Sequence, residues 1–228
     1  STPEAPPTER SDAVHAVTPR EPNSQLSAAK PAPSPAAPSE QAADLRTSTL
    51  QALASDNAGD RIDAVRAVRD RHAVELLPDL LALDPARDPD LAPTLISASA
   101  DLANQAGDAQ RSAAAARLAA WLTSETQRSQ TAADARGNQS VLVEALGRLN
   151  THESVAALSQ VVESEQVPVH VATLAAEGLA RIGDASARPA VERFRARLAQ
   201  QPAADGFGRE LQTEALATAD RALAAWPQ

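Results

Sequence analysis

The chain contains no cysteine, no methionine and no tyrosine, and its 228 residues include only two tryptophans and two phenylalanines. Without cysteine there can be no disulfide, thiolate nucleophile, cysteine-ligated zinc site or iron–sulfur cluster. No run of alternating aromatic and β-branched residues reads as a strand. No stretch comes near the roughly 18 consecutive apolar residues of a membrane span. Positive charge is also short: the formal net charge is −9 and the pI near 4.9, which opposes general attraction to nucleic acid or anionic lipid.

What is present is alanine, leucine and valine. A core short of aromatics must be built from aliphatic side chains, and small alanines let helices approach closely while favouring the helix itself. The class is all-α. Basic residues are almost all arginine, with Lys30 the single lysine, a bias that with the alanine excess suggests a GC-rich bacterial genome.

Residues 1–40 hold nine of the seventeen prolines, including Pro6-Pro7 and the run from Lys30 to Pro38. Such spacing forbids helix and sheet and favours an extended, solvated chain that cannot offset its ordering entropy. Three readings stay open: a passive flexible tail, a tether joining an exported domain to a lipid or membrane anchor, or a Pro-rich segment that docks on a partner. Residue 1 is Ser, which does not distinguish a removed export signal from a trimmed start. The expected location is periplasmic or membrane-tethered outside the cytoplasm, with a cytoplasmic one not excluded.

From residue 41 to 228 the apolar period is helical. It predicts helices over 41–55, 60–71, 73–83, 89–104, 109–123, 131–149, 152–163, 168–182, 186–199 and 208–225, or five antiparallel pairs. Gly59-Asp60, Gly107-Asp108 and Gly183-Asp184 each place a glycine at a helix end and an aspartate to cap the next helix. Pro89 and Pro168 fall at first-turn positions, where a missing amide costs nothing.

The sequence also repeats. A shift of 33 residues lays Glu144-Ala-Leu-Gly-Arg-Leu-Asn150 onto Glu177-Gly-Leu-Ala-Arg-Ile-Gly183, Leu158 onto Val191 and Val161 onto Phe194. A shift of 81 lays Leu146, Leu149, Val155 and Leu158 onto Val65, Val68, Val74 and Leu77. One helix pair of this size cannot bury its apolar face, so stacked neighbours must share a continuous core.

Ala145-Leu-Gly-Arg-Leu149 followed by Val155-Ala-Ala-Leu158, and Gly178-Leu-Ala-Arg-Ile-Gly-Asp184 followed by Ala187-Arg-Pro-Ala-Val191, resemble the HEAT-like repeat family, in its short bacterial PBS-lyase type. The resemblance is strongest over 141–197, looser over 62–81, and fits 89–123 only with an insertion around Asn104 to Arg111. It implies a HEAT-like α-solenoid, a right-handed stack of helix pairs whose inner helices line a concave binding surface. It implies no activity, since this repeat serves many functions. Some relatives act on bilins and a related fold hosts DNA glycosylases. The first needs an aromatic-lined pocket and the second a basic groove, and this chain has four large aromatics and an acidic repeat region.

The histidines, His15, His72, His152 and His170, form no H-E-x-x-H or comparable metal-ligand set. There is no G-x-S-x-G, Walker loop or G-x-G-x-x-G. No catalytic residue, metal or cofactor is predicted. What remains is surface. Stacking the repeats aligns Asp63, Glu144 and Glu177 as a column of inner-helix carboxylates, with Arg148 and Arg181 one turn on. Either these make intrahelical Glu–Arg pairs on a solvated face, or they form a charged stripe for another protein. The clusters Arg66/Arg69/Arg71 and Arg193/Arg195/Arg197, and the polar stretch Thr123 to Ser140, carry the same two readings. The expected function is a non-enzymatic protein–protein interaction scaffold. The alternative, a small-molecule binder or lyase-like protein, would need a pocket faced by Trp121 or His170.

Overall fold

The computed structural model describes residues 40–131, 137–201 and 206–226. Among these there is no strand, and ten α-helices follow one another: Glu40–Leu53 (α1), Ala58–Asp70 (α2), Leu77–Ala82 (α3), Ala92–Gln105 (α4), Asp108–Thr131 (α5), Gln139–Leu149 (α6), His152–Glu163 (α7), Val169–Ile182 (α8), Arg188–Gln200 (α9) and Gly206–Ala225 (α10). The expected tail, residues 1–40, lies outside the described residues except for Glu40.

The helices pack in order. α2, α4, α6, α8 and α10 lie against one another in succession, while α5, α7 and α9 form a second row against them, each touching the helices before and after it in the chain. Most apolar positions equated by the internal repeat are buried, though Val74 and Ile182 are only partly so where their equivalents Val155 and Leu149 are covered. Val65, Val68, Leu146, Leu149, Leu158, Val191 and Phe194 are all fully buried. The core is aliphatic throughout, with Trp121, Phe194 and Trp226 as its buried aromatics among the described residues.

Several boundaries follow local chemistry. Gly183 ends α8 in the left-handed region (φ 73°), its amide donating to the Leu179 carbonyl at 2.9 Å. Only glycine enters that conformation without a Cβ penalty. Asp184 then accepts from the Ser186 amide at 2.8 Å and starts the short 3₁₀ turn Ala185–Ala187 that leads into α9. Thr151 caps α7 by accepting from the Ser154 amide at 3.2 Å.

Other expectations need correction. Gly59-Asp60 lies inside α2, because Asn57 caps that helix by accepting from the Gly59 amide at 2.9 Å. The helix predicted over 73–83 begins as a 3₁₀ turn, Val74–Leu76, and becomes α-helical at Leu77, with Pro78 in its first turn. Pro89 stands outside α4, whose first-turn proline is Pro93. The insertion expected around Asn104 to Arg111 is the short connection Ala106-Gly107.

The largest correction concerns the helix predicted over 131–149. Thr131 ends α5, and α6 starts at Gln139. The first part of the polar stretch Thr123 to Ser140 therefore continues α5, and residues 132–136 lie outside the described residues. Its hydroxyls turn inward to the helix: Thr126 Oγ1 donates to the Leu122 carbonyl at 2.9 Å and Ser129 Oγ to that of Glu125 at 2.9 Å. Glu125 itself is buried at 5% exposure. It is held by Arg128 at 2.6 Å and accepts the Asn138 amide at 3.1 Å, joining the end of α5 to the start of α6.

Candidate functional site

The five residues expected to form a partner surface sit on the row α2, α4, α6, α8. Asp63 projects from α2, exposed, 3.5 Å from Arg66 one turn on. α4 lies between α2 and α6, so Asp63 is not a direct neighbour of Glu144. Glu144 and Arg148 are both exposed on α6. Their i, i+4 spacing allows an intrahelical pair, but Arg148 turns instead to Asp101 of α4, with Nη1 3.1 Å from Oδ1. On α8, Arg181 reaches over Gly147 of α6, its Nη1 3.6 Å from where a Cβ on that glycine would stand. Neither Glu144 nor Glu177 has an ion-pair partner among the described residues. Arg148 thus turns to Asp101 and Arg181 lies over α6, and neither closes on the carboxylate one turn before it.

Glu177 belongs to a groove between α8 and α10. One wall is the α8 flank Val169, His170, Thr173, Leu174 and Glu177; the other is the α10 flank Leu211, Glu214, Thr218 and Arg221. The spacings of three and four residues place each set on one helix face. The groove encloses about 260 Å³. Val169 and Leu211 are 37% and 38% exposed, two of the three large apolar side chains left open among the described residues. Arg221 Nη2 donates to Thr218 Oγ1 at 2.6 Å across one turn of α10. Glu214, like Glu177, has no ion-pair partner among the described residues.

A second groove, of about 620 Å³, lies where the connection Leu83 to Leu91 meets α1, α4 and α5. Leu53, Leu83 and Leu95 give it an apolar lining, with Asp88, Arg117 and Trp121 at its polar side. Trp121 is 5% exposed. The Arg117 guanidinium stands 5.5 Å from its ring centre, and Arg117 Nε donates to the Leu81 carbonyl at 2.9 Å. The indole N–H has no acceptor among the described residues. Asp88 accepts from Arg61 at 2.6 Å and from the Leu91 amide at 3.2 Å. The Arg61 hydrogen bond, above all, holds its carboxyl below the ordinary carboxylate range. Both residues singled out as pocket markers, Trp121 and His170, therefore line a groove. Arg117 and the connection around Asp88 were not anticipated; the signal was there in the unbroken polar and proline run Asp84-Pro-Ala-Arg-Asp-Pro-Asp90.

The second arginine cluster is engaged in packing. Arg193 pairs with Glu163 and Arg195 with Asp220. Arg197 donates to the Val162 and Glu163 carbonyls at 2.8 and 2.9 Å, closing the C-terminus of α7. In the first cluster Arg69 pairs with Asp70 at 2.8 Å and Arg66 with Asp63. Among the described residues no group of three or more His, Asp or Glu is placed to hold a metal ion, and no helix is long and apolar enough to cross a membrane.

No family model, curated protein or solved structure matches the chain.

Proposed function

We propose that the chain is a non-enzymatic protein-interaction scaffold, a HEAT-like solenoid of about five helix pairs that binds a basic partner through the row α2, α4, α6, α8 and α10. The serial packing of that row and the burial of most repeat-equivalent apolar positions support the solenoid. The observation that carries the function is that Glu144 and Glu177 have no ion-pair partner among the described residues. Had Arg148 and Arg181 closed on them, the face would be a solvated helix surface worth a few tenths of a kcal/mol. With Arg148 committed to Asp101, the carboxylates are free to meet cations brought by another protein. The Pro-rich residues 1–40 would act as a tether holding this scaffold to an anchor outside the cytoplasm.

The test compares retention of proteins from the native organism by the wild type and by the triple variant Asp63→Lys, Glu144→Lys and Glu177→Lys. Exposed charges contribute little to folding, so the variant should melt close to the wild type. Its retention of partner should fall by well over about tenfold, since like charges across an interface are costly. Wild-type retention should also weaken with salt. Retention unchanged by the triple substitution rules out this face.

A second reading, a small-molecule site, draws on the Trp121 groove, whose volume of about 620 Å³ falls within the range of ligand pockets. Burial of the indole under Arg117 leaves little ring face for stacking, which favours the scaffold. A ligand-dependent rise in melting temperature that Trp121→Leu abolishes would reverse that preference.

A further inference from the structure

We propose that the groove between α8 and α10 is an anchor pocket for a protein segment carrying an aliphatic side chain next to a basic residue. The inference rests on the scaffold reading and names the recognition chemistry at one end of its face.

Three observations converge there. The first is apolar exposure. Val169 and Leu211 stand open on opposite walls, over a floor that includes Leu174 and the buried Ala215. Leaving two such side chains in water costs free energy that burial under a partner would recover. The second is size. About 260 Å³ is below the roughly 300 Å³ at which pockets begin to hold drug-sized ligands, and suits a projecting side chain instead. The third is charge. Glu177 and Glu214 face the groove from its two walls without ion partners, whereas Arg221 already donates to Thr218. Two carboxylates against one guanidinium, which keeps its charge while donating to the Thr218 hydroxyl, leave the walls net acidic and favour a cation beside the anchor, and the net charge of −9 adds a long-range attraction of the same sign.

The probe is an acetylated nine-residue peptide with a central Leu flanked by two Arg in a Gly/Ser background, titrated into the full chain by NMR or fluorescence polarisation. Replacing its Leu by Ser should weaken binding about tenfold, the cost of losing one buried aliphatic side chain. Replacing both Arg by Glu should weaken it by about fivefold or more. On the protein, Val169→Ser with Leu211→Ser should reproduce the loss seen with the Ser peptide, while an unchanged helical circular-dichroism spectrum shows that the variant is folded. Glu177→Lys with Glu214→Lys should make the Glu-flanked peptide the better ligand. Equal binding of the Arg- and Glu-flanked peptides, or binding indifferent to the Val169/Leu211 substitutions, overturns the proposal. If it fails while the triple lysine variant still loses its native partner, the scaffold reading stands and the groove is not part of its interface.

Discussion

Gly147 of α6 and Gly178 of α8 meet backbone to backbone: a Cβ added at Gly147 would lie 3.1 Å from the Gly178 Cα. A Cβ at Gly178 would meet the Gly147 Cα at 3.4 Å and the Leu158 Cδ1 at 3.2 Å. The glycines set how closely α6 and α8 approach, and so how near Glu144 comes to Glu177.

Gly147→Ala should therefore destabilise by about 1–3 kcal/mol, because its neighbour is helix backbone that cannot move without shifting α8. Gly178→Ala should cost less, since its nearest neighbour is the end of a side chain rather than backbone and alanine favours the helix by about 1 kcal/mol. Gly206→Ala, with open space around it, should be neutral or stabilising. Urea denaturation of the three variants checks the order. A Gly147→Ala protein as stable as Gly206→Ala would mean that the two helices are free to separate.

Leu149 is 1% exposed, and Leu149→Asp should cost about 3–5 kcal/mol or prevent folding, as an unpaired charge enters the core. Arg148→Ala removes only a half-exposed pair with Asp101 and should cost less than about 1 kcal/mol. Equal effects from the two would contradict the helical phase.

Arg197 closes α7 by donating to its last carbonyls. Arg197→Ala should cost about 1–3 kcal/mol, because the orphaned carbonyls lose charge-assisted donors at the negative end of the helix. Arg197→Lys should recover part of this, having the charge but not the planar fork. Arg193→Ala, an exposed pair, should cost under about 1 kcal/mol in the same chemical-denaturation assay.

Acid should weaken the fold through three carboxylates, Asp88, Asp184 and Glu153, the last held low above all by the backbone amide of its own residue. Asp88 is held low by Arg61, and Asp184 is held low first by the Ser186 hydroxyl and then by its amide. A carboxyl depressed in the folded state stabilises it fully above its unfolded pKa, about 3.9, and ceases to do so as pH falls through the lower folded value. Melting temperatures should accordingly drop below about pH 4. Asp88→Asn should melt lower at pH 7 and show a shallower acid decline; an acid limb identical to the wild type would remove Asp88 as a cause.

The helical class was legible in the sequence because the period of Val65, Val68, Leu146 and Leu149 is tied directly to which side chains are buried. Gly183 was legible too, since a left-handed helix end requires its residue type. The course of α5 past Thr123 was not. Its side chains bond their own helix, and Glu125, which composition assigns to the surface, is buried by partners three and thirteen residues away. At the candidate site the exposure of Glu144 could be read from its phase. That Arg148 would ignore it could not, because Asp101 lies 47 residues away and becomes a neighbour only when α4 packs on α6. The glycine contact was hidden for the same reason: each glycine looks like a weak point in its helix until the other is opposite.

The serial packing of the helices makes the two ends unequal. α1 rests mainly on α2, with one ion pair from Arg46 to Asp79 at 2.8 Å. α10 is latched at several points: Trp226 Nε1 donates to the Asp184 carbonyl at 3.1 Å, Gln212 to the carbonyl of Gln201 at 2.6 Å, and Arg195 pairs with Asp220. Partial opening, seen as amide exchange, should therefore reach α1 before it reaches α10. Leu53 of α1 forms one side of the Trp121 groove, so opening of the loose end would widen that groove. The α8–α10 groove lies at the opposite, latched end. The two cavities should therefore differ in lifetime as well as lining, with the one lined by Glu177 the more persistent.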